Sequence, residues 1–546
     1  MVSTEWSLPD AYEALAAGAP DRDVLVWKDV RRTYADVATR TRNLAAFLAR
    51  HGIGVRRERS ELERWECGQS TVALLLYNCP EYIEAMLGCL RARAVPFNVN
   101  QHYRPAEVLG LLDMVGAEFA VYHRALGPLV AEAAKTRGLL LVDVDDGSGI
   151  APLAGSTRFE DAVGKSADAA ALPTPSPDDL YLVCTGGTTG SPKGVLWRQG
   201  DIFFAAMGGI EGAPRESLTA KAKAGGGTWF AAPPLMHAAA QWTAFAGLHA
   251  GASIVLHDDT APFEASAILE TIARERVNFM SIVGDAFARP LIEEMRRHRY
   301  DLASLHTLAT GGAFTSDACK EALLELLPHI TIIDGYGASE TGGMAYGASR
   351  RGARATAFSP REGAAVLSED RRRFLVSGDD EVGWTARRGR VPLGYLGDRK
   401  KTEETFPIID GQRVAVPGDR ARLAPDGTIV LLGRDSLVVN SGGEKIFVEE
   451  VEDVLRRHPD VVDALVVGRP SERFGDEVVG IVQLRPDATR EPYALREFIA
   501  GEIARFKAPR AIAFCERVHR HASGKPDYRW ARSVAAEAVA ATVKPG

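Results

Sequence analysis

The chain has 546 residues, 46% hydrophobic and 25% charged, with 65 basic against 72 acidic side chains and a net charge of -7. That length is too great for one core and implies three or four domains or subdomains. The acidic balance, with no basic stripe interleaved with aromatics, argues against a nucleic-acid partner. Six scattered cysteines (Cys67, Cys79, Cys89, Cys184, Cys319, Cys515) form no C-x-x-C pair. Zinc and redox roles are therefore disfavoured, and a reduced cytoplasmic setting is expected. The start, Met-Val-Ser-Thr-Glu-Trp-Ser, lacks a basic n-region and an apolar h-region, so no export signal is expected. The longest apolar stretch, Trp229 to Leu256, is broken by Pro233, Pro234, His237, Gln241 and His249, so it reads as core and pocket wall rather than a membrane span.

In chain order, residues 8 to 50 read as a helix, a strand pair over Val24 to Val30 and a helix near Tyr34 to His51. Val55 to Glu66 is a charge run, expected as a solvated loop. Strand and helix then alternate: strand Ser70–Tyr77, helix Pro80–Arg93, strand Ala94–Asn98, helix Glu107–Val115, strand Phe119–Tyr122, helix Ala125–Lys135, strand Leu139–Val144. This spacing is that of parallel α/β units. After a polar patch, Ser156 to Asp178, comes Tyr181-Leu-Val-Cys-Thr-Gly-Gly-Thr-Thr-Gly-Ser-Pro-Lys-Gly-Val195. It is an apolar strand followed by a run that cannot pack a core. What such a run can do is present backbone N–H groups, hydroxyls and one ammonium to an anion such as a triphosphate. Pro192 before the lysine rules out a Walker A loop, and the G-x-G-x-x-G spacing is absent.

The alternation resumes with a helix start at Gly200–Gly209, an apolar segment Phe230–Met236, helix Ala239–Ala250 and strand Ser253–His257. Helix Ala265–Arg276, strand Asn278–Val283, helix Phe287–Arg297, strand His306–Thr310, helix Ser316–Leu327 and strand Thr331–Asp334 follow. Ligand loops are expected at strand C-terminal ends of this doubly wound body: Thr185–Lys193, His237, Thr310–Ala313 and Asp334–Thr341. Arg350 to Asp380 reads as charged and irregular, and Gly383 to Val430 as a small β-subdomain. From Arg434 the elements are strand Leu437–Asn440, helix Val448–Arg457, strands Val461–Gly468 and Glu477–Leu484, helix Pro492–Arg505 and a polar tail.

Taken together in order, these motifs closely resemble the adenylate-forming superfamily of acyl-CoA synthetases, luciferases and adenylation domains, from about residue 10 to 533. Asn98-Val-Asn100, Gly389-Arg-Val-Pro-Leu-Gly-Tyr395, Gly433-Arg-Asp-Ser436 and Lys525-Pro-Asp-Tyr-Arg-Trp530 are similar to the actinobacterial fatty-acyl and steroid-acyl CoA ligases. The fold implied is α/β: a large N-terminal domain of two doubly wound α/β subdomains plus a small β-subdomain (1–433), then a small mobile α+β domain (434–546). The resemblance implies that Thr185, Gly186, Gly187, Thr188, Thr189, Gly190 and Lys193 hold the ATP phosphates. It also implies that Gly312 and Ala313 line adenine beside the ring of Tyr336 and Gly337, with Ser339 at the α-phosphate. Glu340 would hold Mg²⁺, Asp419 the ribose hydroxyls, and Arg434 ribose and phosphate. His237 would position the acyl group. Lys525 would neutralise charge built up on the carboxylate and α-phosphate. Gly442, Gly443 and Lys445 would face coenzyme A, and Gln241, Trp242, Phe245, Ala286, Ala338 and Gly343 would line the acyl pocket.

Two positions depart from the family's pattern: the hinge, Ser436, is usually Asp or Lys, and Pro526 replaces an apolar β-branched residue. The activity implied is ATP-dependent acyl-CoA synthesis from a long-chain fatty or bulky steroid side-chain acid, with ATP, Mg²⁺ and coenzyme A as cosubstrates and cofactor. No transmembrane segment is expected; peripheral membrane contact and a homodimer stay open. So do three rivals that share the nucleotide motifs: a stand-alone amino-acid or aryl adenylation enzyme, a luciferase-like oxygenase and a non-catalytic nucleotide-binding homologue. Phe263-Glu-Ala-Ser266 carries Glu where the amino-acid modules carry Asp.

Overall fold

Runs such as Thr71–Leu75 and Phe119–His123 are apolar on both faces, so they are stable only in a sheet covered by helices on both sides. The computed structural model gives them that setting; it describes residues 5–540 except 167–171, 186–191, 314, 356, 435–436, 442–443, 472–474 and 522–523. A five-stranded parallel sheet runs in the order Val95–Asn98, Thr71–Leu75, Phe119–His123, Leu140–Val144, Thr157–Arg158. Every residue of Thr71–Leu75 and Phe119–His123 is buried.

A nine-stranded sheet runs Ser359–Pro360, Gly342–Ser349, Thr331–Ala338, Thr307–Thr310, Phe279–Ile282, Thr228–Ala231, Ser253–Leu256, Asp23–Trp27, Val30–Thr33. Its six central strands are parallel, with antiparallel strands at both edges. Asp23–Trp27 thus lies beside Ser253–Leu256, with Leu25 opposite Ile254. The first strand pair completes the second sheet, not the one that follows it in sequence.

Helices Tyr34–Arg50 and Pro80–Arg91 pack between these layers. The first opens on a capping box, Thr33 and Asp36 each bonding the other's backbone N–H. Gly88 sits against Leu44, where a Cβ would come within 2.7 Å. Glu84, fully buried, takes an ion pair from Arg40 at 2.9 Å, and Arg40 also holds Glu160 at 2.7 Å.

The β-subdomain orders Ile408–Ile409, Gln412–Ala415, Gly383–Arg388, Asp419–Leu423 and Ile429–Arg434, with Ala364–Leu367 along Gly383–Arg388. The short strand Gly394–Tyr395 leaves this subdomain and pairs with Lys193–Arg198, the return strand of the glycine-rich hairpin. The last sheet runs Glu444–Phe447, Val438–Ser441, Gly475–Leu484, Ala511–Cys515, Val539–Ala540, with Val461–Ser471 paired to Gly475–Leu484. Helices Val448–Arg457, Pro492–Glu502 and Tyr528–Ala535 cover it.

Several sequence expectations are corrected. Thr331–Asp334 extends to Ala338, because Gly342–Ser349 returns beside it as a hairpin. Helices Glu216–Ala224 and Arg399–Thr405 were not anticipated; both are short and mostly polar. The irregular stretch 350–380 contains strand Ala364–Leu367. The polar tail folds as strand Ala511–Cys515 and a helix capped by Asp527. The charge run 55–66 is anchored rather than loose. Arg93 pairs with Glu58 at 2.7 Å, Gly397 N–H bonds the Trp65 carbonyl at 2.8 Å, and Arg399 stacks over the Trp65 ring.

Candidate active site

The glycine-rich hairpin is closed by Thr185 opposite Lys193. Gly186, Gly187, Thr188, Thr189 and Gly190 lie outside the described residues. Lys193 sits 5.5 Å from the ring centre of Tyr395, whose hydroxyl donates to Glu340 at 2.8 Å. Glu340 lies in the turn of the Thr331–Ala338 and Gly342–Ser349 hairpin, closed by Thr341 N–H to the Ala338 carbonyl at 3.0 Å and by Ala338 N–H to the Thr341 hydroxyl at 2.9 Å. The buried Trp197 indole N–H bonds the Ser339 carbonyl at 2.9 Å and so ties this turn to the glycine-rich hairpin. Burial, then the adjacent Lys401 ammonium, pushes Lys193 down to about 8, against the pull of Glu340 and Asp398.

Beside this cationic end, the Tyr336 hydroxyl bonds Asp419 at 2.6 Å and Thr385 at 3.0 Å. Gly311 abuts Gly335, where a Cβ would meet the Gly335 carbonyl at 3.0 Å, and Gly312 adopts φ +76°, which suits glycine. Gly311 therefore packs on the strand that leads to Tyr336, while a Cβ at Gly312 would meet only Ala239 and Val283 among the described residues, both at 4.0 Å. Gly337 packs so tightly on Gly342 that no side chain fits. Asp419 stands opposite Arg434 in the strand register; the Arg434 side chain is outside the described residues. One edge thus gathers an aromatic face, a carboxylate and a glycine floor, the groups a nucleoside needs.

The surroundings of His237 are organised by three buried amide side chains. Asn98 donates to the Cys184 carbonyl at 2.9 Å and the Met236 carbonyl at 2.7 Å, and accepts from Cys184 N–H at 3.0 Å. It therefore links the strand leading to Thr185 with the residue before His237. Asn78 accepts from Leu235 N–H at 2.7 Å. Gln241 accepts from the Tyr181 hydroxyl at 2.5 Å and donates to the Leu235 carbonyl at 2.7 Å. His237 caps the helix Ala238–His249. Its Nε2 is buried and finds no hydrogen-bond partner among the described residues. Burial, then the positive charge of Lys525 and of His102, holds His237 down to about 4, so the imidazole is neutral.

Lys525 follows Gly524, which is buried at φ +75° against Ala286 and Val283. His521 N–H bonds the Lys525 carbonyl at 2.9 Å. Arg520 clamps Asp463 through two 2.8 Å bonds and reaches the Gly524 carbonyl at 3.3 Å. The segment bearing Lys525 thus packs on the Val283–Ala286 turn, with Gly524 buried and Lys525 exposed.

The six acyl-pocket residues are not all brought together. Phe245 is 1% exposed in the central core and Gln241 has both amide groups engaged, so neither offers free surface to an acyl chain. Their apolar and small neighbours on the helix made them look alike in sequence. Trp242 is half-buried on the same helix, and Ala286 faces the Lys525 loop. Ala338 and Gly343 lie on the Glu340 hairpin, with the Gly343 carbonyl held by Arg387 at 2.7 Å. Ser436, Gly442 and Gly443 lie outside the described residues, as does the Lys445 side chain on Glu444–Phe447. Sequence reasoning assigned no role to Tyr395, Thr385, Asn98 or Lys401. The Gly-Tyr pair at 394–395 and the Asn98 wording were signals for two of them.

A family model of AMP-binding enzymes matches residues 12–370, and one of the AMP-binding enzyme C-terminal domain matches residues 450–525. The chain is 44% identical to the medium-chain acyl-CoA ligase Mig of Mycobacterium avium, over 98% of this chain and 99% of that one. It is 37% identical to a medium/long-chain-fatty-acid–CoA/3-oxocholest-4-en-26-oate–CoA ligase of Mycobacterium marinum, over 96% of both chains. A 3-oxocholest-4-en-26-oate–CoA ligase of Rhodococcus rhodochrous is 35% identical over 96% of this chain and 95% of that one. The fold matches that of the anthranilate CoA ligase AuaEII with anthranoyl-AMP at TM-score 0.81, with 21% identity over 98% of both chains. The chain therefore belongs to the AMP-binding, adenylate-forming enzyme family, as an AMP-forming acid–thiol ligase that uses ATP and coenzyme A.

Proposed function

We propose that this enzyme activates a medium- or long-chain fatty acid, or a bulky steroid side-chain acid, as its acyl-adenylate and then transfers the acyl group to coenzyme A. The observation that carries the residue assignments is the convergence of four loops: Lys193 with Glu340, Tyr336 with Asp419, His237, and the Lys525 segment packed on Val283 and Ala286. The substrate class rests on the relatives named above, and the half-buried Trp242 is the residue offered to the chain.

In the first step a carboxylate oxygen attacks the α-phosphorus, and the bond to the β-phosphate oxygen breaks. Neutral His237 supplies its unsatisfied Nε2 to orient the carboxylate without a competing positive charge. Lys525 bridges the negative charge that builds on carboxylate and α-phosphate. Asp419, held by Tyr336, takes the ribose hydroxyls, with Arg434 beside it in the strand register. Lys193 meets the leaving pyrophosphate together with the loop 185–190, and Ser339 meets the α-phosphate.

Among the described residues no group of three or more His, Cys, Asp and Glu gathers into a metal cage. Glu340 offers a carboxylate next to the phosphate end, where Asp398 also acts on the Lys193 ammonium. That fits Mg²⁺, which keeps most of its ligands from water and phosphate. Bound there, the ion supplies charge neutralisation on the phosphates.

For the second step, the unit 434–546 turns about Ser436 and replaces Lys525 with the loop at Gly442, Gly443 and Lys445, which admits the pantetheine thiolate. The thiolate sulfur then attacks the acyl carbon and AMP leaves. No helix among the described residues is long and apolar enough to cross a membrane, and we place the enzyme in the cytoplasm.

The test is AMP release with and without coenzyme A across acetate, fatty, aromatic, amino and cholanoic acids. CoA-dependent release with medium- or long-chain or cholanoic acids is the expected result. Release confined to acetate or amino acids would overturn the substrate assignment, and release indifferent to coenzyme A would overturn the second step.

A further inference from the structure

The turn bearing Lys525 hangs on a run of charges that no motif marks. Helix Val448–Arg457 carries Glu452, Asp453 and Arg456, and strand Val461–Ser471 carries Asp463. Glu452 is buried and accepts from Val466 N–H at 2.9 Å, from the Tyr528 hydroxyl at 3.0 Å and from Arg456 at 2.7 Å. Arg456 reaches on to Asp463 at 3.3 Å and to Asp453 at 3.8 Å. Asp463 also accepts from Ala464 N–H at 2.8 Å, and it takes two donors of Arg520, each at 2.8 Å. Acid and base thus alternate from the buried Glu452 through Arg456 and Asp463 to Arg520, shortly before Lys525.

A guanidinium is planar and holds its donors in a rigid fork, so a carboxylate gripped by two of them sets its angle as well as its place. With Nε and Nη2 taken up by Asp463, Nη1 of Arg520 reaches the Gly524 carbonyl at 3.3 Å. The backbone closes around this point. Arg520 pairs with Pro526, His521 N–H bonds the Lys525 carbonyl at 2.9 Å, and Gly524 N–H bonds the His521 carbonyl at 2.8 Å. The His519 ring stacks on Trp530 of helix Tyr528–Ala535, with centres 4.4 Å apart. The residues on both sides of Lys525 are therefore fixed to the body of the last α/β unit, while Gly524 seats on Val283 and Ala286 of the large one.

We propose that Arg520 is a positioning residue for Lys525: braced by Asp463, it sets how the lysine's turn seats on Val283 and Ala286, and so serves adenylation and not thioester formation. The inference rests on reading Lys525 as the adenylation lysine. A misplacement of about 1 Å can cost about 100-fold in rate, so a loosened turn shows in the adenylation step even with the ammonium still present. Removing the guanidinium strands no buried charge, because Asp463 keeps Arg456 and the Ala464 N–H.

The experiment uses the full chain as wild type, Arg520→Met, Asp463→Asn, Lys525→Ala and the double variant Arg520→Met with Lys525→Ala. It measures acyl-adenylate formation from acid and ATP apart from thioester formation from acyl-adenylate and coenzyme A. Arg520→Met and Asp463→Asn should each lower adenylation about tenfold or more and leave thioester formation within about twofold. In the double variant, Arg520→Met should cost less than about twofold beyond Lys525→Ala, since a residue that acts through the lysine then has nothing left to position. Wild-type adenylation in Arg520→Met overturns the assignment, and so does full additivity in the double variant. An equal fall in both half-reactions with a lowered Tm marks a structural role and overturns it as well. Should Arg520→Met not fold, Asp463→Asn decides by the same two rates. If Lys525→Ala itself keeps wild-type adenylation, the reading of the lysine fails, and the proposal with it.

Discussion

The nucleotide side and the acyl side of the cleft differ in how their polar groups are satisfied. Tyr336 already holds Asp419 and Thr385, and Tyr395 already holds Glu340. These groups are oriented before any ligand arrives, so binding costs them little reorganisation. On the acyl side the amides of Asn98 and Asn78 are spent on the backbone and that of Gln241 on the Tyr181 hydroxyl and the Leu235 carbonyl, while His237 Nε2 is buried without a partner among the described residues. A buried unsatisfied nitrogen costs about 1–3 kcal/mol, which an acid can remove by completing its hydrogen bond. The nucleotide side is preassembled; the acyl side is left for its substrate to finish.

The largest expected effect comes from breaking the preassembled side. Glu340→Ala should cut acid-dependent AMP release by about 100-fold or more, with Glu340→Asp recovering part of it. A variant retaining a third of wild-type activity would remove Glu340 from the phosphate end. Next is the split between the two sides. His237→Ala should raise KM for the acid about tenfold, in line with the loss of one hydrogen bond to a charged group, and leave KM for ATP in place. Tyr336→Phe should do the reverse, raising KM for ATP by up to about tenfold as Asp419 loses its brace. If both variants move both constants together, the two sides are not independent.

The smallest effect is in pH. Lys193 is cationic below its value of about 8 and neutral above it, and only the cation holds phosphate. With phosphate absent, kcat/KM for ATP should therefore fall as pH rises through about 8. Under saturating ATP the bound phosphates raise the lysine's pKa, so the limb in kcat should lie higher. Coincident limbs would dissociate Lys193 from phosphate binding.

The same contrast explains what could be read from the amino acids alone. Alternating apolar strands and amphipathic helices marked both doubly wound layers, because burial on both faces leaves a continuous apolar run. The strand pair 23–33 was seen but its partner was not, since Leu25 meets Ile254 only in three dimensions. On the nucleotide side, the glycine turns and single carboxylates stand in motifs that resemble those of the adenylate-forming family, and it is that resemblance which implies the roles of Tyr336, Glu340 and Asp419. The acyl wall is made of ordinary helix residues. Nothing in the spacing of Gln241, Trp242 and Phe245 distinguishes a core face from a pocket face, and two of the three turned out to be committed to the protein itself.

The central claim is that the Lys525 segment, packed on Val283 and Ala286, serves adenylation and not thioester formation. Its most direct test compares Lys525→Ala with wild type in the two half-reactions measured separately. Acyl-adenylate formation from acid and ATP should fall by about 100-fold or more, while thioester formation from supplied acyl-adenylate and coenzyme A should stay within about threefold. Equal loss in both half-reactions, or intact adenylation, would contradict the account.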